Sequence, residues 1–236
     1  MKIKIQRETL EEFEVDVHDA TLLTVLNKIK VEQDKTLTFS SGCRSSVCGS
    51  CSVRVNAKEV LACSYKLQEG DVVQPLRNAP VIRDLVVDMK KSYETNRRAK
   101  AWLSRITGDV SLSIEHEKIN EIQSDCILCG SCYSACPVFA VNDEFLGPFA
   151  LTRAWKYTSD KRQNETKEIV DVIQTNGVWS CTLCNECTLV CPQNISSKAD
   201  IEKLRSKSAM AGYSDPSFAN FGSFGGGVSF DGSPSF

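Results

Sequence analysis

Four cysteines fall within eleven positions in "CTLCNECTLVCP", residues 181 to 192, and the same spacing occurs in "CILCGSCYSACP", residues 126 to 137. A third group, "CRSSVCGSC", holds Cys43, Cys48 and Cys51, followed after eleven intervening residues by Cys63. These three sets of four account for all twelve cysteines of the chain. Thiolates at such spacing bind soft metals. CxxCxxCxxxCP is the ligand run of bacterial ferredoxins, and CxxxxCxxC with a distant fourth cysteine is the plant-type 2Fe-2S pattern. Their coincidence in one chain favours iron and inorganic sulfide over zinc, for which an isolated CxxC pair would serve. A disulfide framework suits a small secreted chain and is disfavoured in one with ample apolar residues and no export signal.

The spacing has a mechanical reason. CxxCxxC lets one tight loop present three thiolates to neighbouring irons, while the fourth cysteine, one turn further, faces away and ligates the other cluster of a two-cluster protein. Crossed ligation is therefore expected. Cys126, Cys129, Cys132 and Cys191 would hold one 4Fe-4S cluster, and Cys136 would join Cys181, Cys184 and Cys187 at the other. Cys43, Cys48, Cys51 and Cys63 would hold a 2Fe-2S cluster. Pro137 and Pro192, with φ fixed, suit the first turn of a helix leaving each site. Ser41, Gly42, Ser45, Ser46, Gly49 and Ser50 allow close backbone approach to the first set.

Around these loops the periodicity predicts a scaffold. Ile3 and Ile5, then Phe13, Val15 and Val17, alternate as two strands of a hairpin. Leu22, Val25, Leu26 and Ile29 share one helical face. "TLTF" leads into the first loop, Val53 and Val55 lead out, and "DVVQPL" is a last strand. Residues 1–95 thus form a small mixed sheet with a helix across it. The charged segment "KKSYETNRRAKAW" reads as a solvated helix marking the passage between domains. Further helices are predicted from "IEHEKINEI", from Leu151, Ala154, Trp155 and Thr158 after Pro148, and from "ETKEIVDVIQTNG", stopped by Gly177. Residues 96–205 form a helical domain with two cubane-type cluster loops. Residues 206–236, rich in Gly, Ser and Phe, read as disordered or bound to a partner.

Composition removes other classes. The formal charge of −2 offers no footprint for nucleic acid. No apolar run approaches the roughly 18 residues of a spanning helix. The N-terminus lacks the apolar core of a signal peptide, so a cytoplasmic chain is expected, with co-export alongside a partner left open. His18 and His116 stand apart from the cysteines and are expected to be surface or structural residues rather than ligands. No nucleophile and base pair is evident, and "GSFGGG" lacks the context of a dinucleotide fingerprint. These features describe an electron wire without substrate chemistry.

One plant-type site followed by two bacterial-type runs resembles the iron-sulfur subunit of succinate dehydrogenase and fumarate reductase. "PVIRDLVVDM" (80–89) and "GPFALTRAWKYTSDKR" (147–162) carry the likeness further, over residues 1 to about 205. The resemblance implies an α+β chain: an N-terminal β-grasp, 2Fe-2S ferredoxin-like domain followed by an all-helical bacterial-ferredoxin-type domain. It implies an FAD-containing flavoprotein partner, a membrane-anchor or cysteine-rich anchor subunit, and a quinone or thiol-linked acceptor. Two positions depart from the common pattern. Cys184 stands where most members lack cysteine and bind a 3Fe-4S cluster, which favours 4Fe-4S here. Val141 and Thr182 stand where quinone-reducing members commonly carry Trp and His, which points to the branch with a cysteine-rich, non-spanning anchor. The alternatives are a redox subunit of another flavoenzyme, such as a heterodisulfide-reductase-like or 2-hydroxyacid-oxidising complex, and a zinc-binding interaction module. Small subunits of molybdenum hydroxylases share the first spacing but continue with a different cysteine pattern.

Overall fold

The computed structural model describes residues 1–104 and 110–219. Alternation of apolar residues sets the first sheet. Strand β1 (Lys2–Gln6) buries Ile3 and Ile5 completely and pairs antiparallel with β2 (Leu10–Glu14), where Ile3 faces Phe13. Helix α1 (Leu22–Glu32) follows, with the Thr21 hydroxyl accepting from the Thr24 amide at its N-terminus. Its buried face carries Leu22, Val25, Leu26 and Ile29, at the predicted spacing, packed on the sheet. Strands β3 (Ser52–Val55), β4 (Lys58–Leu61) and β5 (Val72–Gln74) complete a five-stranded sheet in the order β2-β1-β5-β3-β4. Only β1 and β5 run parallel among these pairs, as expected when a helix crosses between strands of one sheet.

The β3–β4 hairpin turns on Asn56 and Ala57, both left-handed at φ 49° and 68°, the backbone that a two-residue hairpin of matching twist demands. Asn56 suits the position and fixes it twice: its side-chain amide donates to Asp71 at 2.7 Å and its oxygen accepts from the Val72 amide at 2.9 Å. Ala57 is strained there, since a Cβ disfavours this region by about 1–2 kcal/mol. Ala57→Gly is therefore expected to raise the stability of the chain by about 0.5–1 kcal/mol after the entropy of glycine is subtracted. A denaturant titration of the two proteins reads the difference.

A short hairpin of β6 (Val81–Arg83) and β7 (Val86–Val87) lies beyond the last strand expected from sequence. Helix α2 (Lys90–Arg98) then leads into the second domain. Its charged surface is not simply solvated: Lys91 pairs with Asp143 at 2.8 Å and Arg98 with Glu144 at 3.1 Å. The remaining chain is helical: α3 (Ile114–Lys118), α4 (Glu121–Ser124), α5 (Ser131–Ala135), α6 (Pro137–Val141), α7 (Gly147–Thr158), α8 (Thr166–Val172), α9 (Glu186–Leu189), α10 (Ser197–Met210) and α11 (Pro216–Ala219). His116 acts structurally, closing the first turn of α3 through its Nδ1 with Ser113.

Helices α7 and α10 form the centre of this domain, burying Leu151, Ala154, Ile201 and Leu204. Two boundaries differ from expectation. Helix α8 ends at Val172, five residues before Gly177, because the Val178 amide turns back to the Ile173 carbonyl at 2.9 Å. Helix α10 runs on to Met210, so residues 206–210 are helical. Most of the segment read as disordered, 220–236, lies outside the described residues. Among the described residues no helix is long and apolar enough to cross a membrane.

Candidate metal centres

The first cysteine loop is a shell of backbone amides. Arg44 and Ser46, at φ 59°, and Gly49, at 70°, are left-handed, and left-handed residues interspersed in a turn aim N–H groups toward one centre. The amides of Ser45, Val47 and Cys48 all donate to the Cys43 sulfur, at 3.4, 3.3 and 3.3 Å. The Cys43 amide donates to Cys48 Sγ and the Ser46 amide to Cys63 Sγ, each at 3.3 Å. Hydrogen bonds from the Ser50 hydroxyl and the Cys43 and Ser50 amides pull the Cys48 thiol down to about 6. Cys51 lies behind them, and burial pushes it up to about 11. Cys43 and Cys48 are exposed while Cys51 is buried, so the site sits at the surface with one open edge.

The two later runs share a backbone as well as a spacing. Leu128 and Leu183 lie at φ 56° and 57°, and Gly130 and Asn185 at 80° and 73°. Asparagine tolerates this region better than most residues, which lets it occupy the place of the first run's glycine. Cys126, Cys129, Cys132 and Cys191 line one cavity, with Met89, Phe149 and Ile195 among its apolar walls. Cys136, Cys181, Cys184 and Cys187 line a second, closed by Val138 and Phe145. The fourth cysteine of each run therefore opens into the cavity of the other. The reason is α5: Cys132 stands in its first turn and Cys136 caps its end, so one helical turn separates the cavities. Cys184, though exposed, shares a wall with its three partners.

Amides again reach sulfur: Leu183 to Cys181, Ile195 to Cys191 and Phe139 to Cys136, each at 3.4 Å. Burial raises Cys132 well above the ordinary thiol value and Cys187 to about 12. Such thiols become ligands only when metal charge replaces their protons. Donor number, inward amides and apolar walls fit sulfide-bridged iron. A single zinc holds its thiolates at ~2.3 Å and hence about 3.8 Å from one another. Among the described residues no three His, Cys, Asp or Glu side chains are gathered for one ion.

The three sets stand in a row. A Cβ on Gly49, in the first loop, would lie 2.8 Å from both Cys129 Cβ and the Ile127 carbonyl, so glycine is required for the first loop to touch the second. Helices α5 and α9, which carry Cys132 and Cys187, pack on each other, and Cys187 is near enough to raise the Cys132 thiol, which joins the second set to the third. Residues without a sequence signal hold this row. Asn78 donates through its side-chain amide to the carbonyls of Tyr133, Ser134 and Cys136 at 2.8, 3.2 and 3.1 Å. Arg205 donates to the carbonyls of Val178 and Cys181 at 2.9 and 2.5 Å.

Two family models match the chain: a 2Fe-2S iron-sulfur cluster binding domain over residues 2–94 and a 4Fe-4S dicluster domain over residues 122–195. The 8-methylmenaquinol:fumarate reductase iron-sulfur subunit of Wolinella succinogenes is 40% identical over 205 residues, covering 80% of this chain and 64% of that protein. The fumarate reductase iron-sulfur subunit of Escherichia coli is 38% identical over 204 residues, covering 81% of this chain and 83% of that protein. In fold, a chain of the Mycobacterium smegmatis Sdh1 complex in the apo form matches with a TM-score of 0.81 at 24% identity, covering 91% of this chain and 98% of that one. Three thiol sets in this order and the similarity across four fifths of the chain lead to one conclusion: the protein belongs to the family of iron-sulfur subunits of succinate dehydrogenases and fumarate reductases.

Proposed function

We propose that this chain relays single electrons within a complex that interconverts succinate and fumarate, between an FAD-containing flavoprotein partner and a quinone or thiol-linked acceptor. The observation that carries this reading is the unbroken row of three four-cysteine sets, with Gly49 against Cys129 and Cys132 beside Cys187. Bound there, a 2Fe-2S cluster on Cys43, Cys48, Cys51 and Cys63, a 4Fe-4S cluster on Cys126, Cys129, Cys132 and Cys191, and a second 4Fe-4S cluster on Cys136, Cys181, Cys184 and Cys187 would supply one-electron carriers. The chain's own residues fix the spacing, exclude water and aim amides at the sulfurs, which tunes potential. Residues 1–95 serve the first set and 96–205 the other two.

The exposed edge at Cys43, Cys48 and Val47 faces the flavoprotein. At the far end, Val141 is 86% and Leu189 65% exposed beside the third set, an apolar rim suited to an anchor subunit that places the chain at the inner face of a membrane. Without Trp or His at Val141 and Thr182, a cysteine-rich, non-spanning anchor is the favoured partner.

Anaerobic purification with metal and sulfide analysis tests the reading. About ten irons with matching acid-labile sulfide are expected per chain, together with a co-purifying flavoprotein that oxidises succinate. Colourless protein with stoichiometric zinc would overturn it, and a flavoprotein acting on a different substrate would move the chain to another complex. Cys184→Ala should remove about one iron per chain and give the oxidised protein the paramagnetic signal of a 3Fe-4S centre, absent before substitution.

A further inference from the structure

Behind the cavity of Cys126, Cys129, Cys132 and Cys191 lies a buried polar group that electron relay does not use. Asp200, on α10, is 1% exposed, Gln123, on α4, 4%, and Thr152, on α7, 2%. The Gln123 amide nitrogen donates to Asp200 Oδ1 at 2.9 Å. The other atom of each group, Asp200 Oδ2 and Gln123 Oε1, is buried outside hydrogen-bond geometry, as is Thr152 Oγ1, although the Thr152 hydroxyl is near enough to oppose the effect of burial on the Asp200 carboxyl. An ionised carboxylate only accepts, and so does an amide oxygen. Burying two such acceptors without a full set of donors is unfavourable. One proton on the carboxyl turns it into a donor as well as an acceptor, which lowers the number of unmatched acceptors in the group.

This pair lies behind the cavity wall. Gln123 lies three residues before Cys126, Thr152 lines the cavity, and so does Ser197, one helical turn before Asp200. The charged group facing the carboxyl is Lys203, also on α10, 3.8 Å from Oδ1, with its ammonium drawn over the Trp155 ring at 5.1 Å. From α4 and α7 the facing side chains, Gln123 and Thr152, are uncharged. Arg153 and Lys156 of α7 stack on Tyr157 instead, and Glu121 of α4 is exposed.

We propose that the Asp200–Gln123 pair is a proton-binding site coupled to the charge of the iron-sulfur centre held by Cys126, Cys129, Cys132 and Cys191, with Asp200 binding one proton when that centre gains an electron. The proposal rests on the reading of those four cysteines as cluster ligands. One electron reaches the centre, one solvent proton bonds to a carboxylate oxygen of Asp200, and both leave on reoxidation, with no bond to iron or sulfur made or broken. Burial already lifts the Asp200 carboxyl to about 6, and added negative charge nearby raises it further. Below that value the proton is bound in both redox states. Above it, reduction brings proton uptake, so reduction becomes harder as pH rises.

The test is a mediated redox titration of the intact metallated protein between pH 5 and 9, followed by electron paramagnetic resonance. The reduction equilibrium of this centre should be flat below about pH 6 and then weaken by up to tenfold per pH unit, which is 59 mV for a one-electron couple. Asp200→Asn keeps the shape and supplies a permanent donor, so its potential should not vary with pH and should match the wild-type value at low pH. Redox-difference infrared spectroscopy of the wild type should show a protonated carboxyl gained on reduction. A wild-type potential independent of pH, an unchanged slope in Asp200→Asn, or no carboxyl band would each overturn the coupling. Failure of the ligand reading looks different: no iron and no resonance at this site.

Discussion

Cys191→Ala abolishes the 4Fe-4S centre associated with the first run, Cys126 to Cys132, and spares that of its own run; Cys136→Ala does the reverse. This is the expected result, because Cys191 opens into the cavity of Cys126, Cys129 and Cys132, and Cys136 into that of Cys181, Cys184 and Cys187. Each substitution should remove up to four irons and interrupt electron transfer along the row. Metal analysis with paramagnetic resonance on the two variants, each compared with Cys184→Ala, identifies the centre lost. If each run kept its own four cysteines, Cys191→Ala would instead remove the centre that Cys184→Ala perturbs, and the crossed assignment would be wrong.

The second large effect belongs to a residue that is not itself a candidate ligand. Glu59 is paired across the β3–β4 hairpin with Arg54, its register partner, at 2.8 Å, with side chains only 2% and 10% exposed. The same carboxylate oxygen accepts the Ser134 hydroxyl of α5 at 2.7 Å, and Ser134 Oγ accepts the Arg77 amide at 2.8 Å. Two domains are thus joined through one buried carboxylate, on the helix that carries Cys132 and Cys136. Glu59→Ala leaves the Arg54 guanidinium buried with the Ala57 carbonyl as its remaining partner. Stranding a buried charge costs about 3–5 kcal/mol, a fall of roughly 10 °C in the thermal midpoint of a chain this size. Glu59→Gln, which keeps an acceptor for Ser134, should lose distinctly less. Bleaching of the iron-sulfur absorbance during a thermal ramp reads both. Equal loss in the two variants would show that the charge is immaterial.

How far the molecule was legible in its sequence depends on the range of the interaction. The alternation of Ile3, Ile5 and Phe13 and the helical face of α1 were readable because strand and helix periods are local properties. Helix α10 was not singled out: its mixture of small and charged residues hides the buried Ile201 and Leu204, which are defined only by α7 packed against them. The β6–β7 hairpin and the early end of α8 depend on similarly distant partners. The family resemblance was legible through cysteine spacing, since a cluster of fixed size dictates how many residues a loop places between thiols.

Sequence alone supplied the twelve side chains proposed to carry the metal chemistry, their expected division into sets, and the presence of a fourth thiol at Cys184. Tertiary structure decided what those sets touch: Gly49 pressed on Cys129, Asn78 tying α5 to the first domain, and a carboxylate at position 200 walled in without a full complement of hydrogen bonds. Spacing along a chain encodes ligand geometry directly. Proximity, burial and the pairing of polar groups exist only after distant segments have met, and no short window of residues records them.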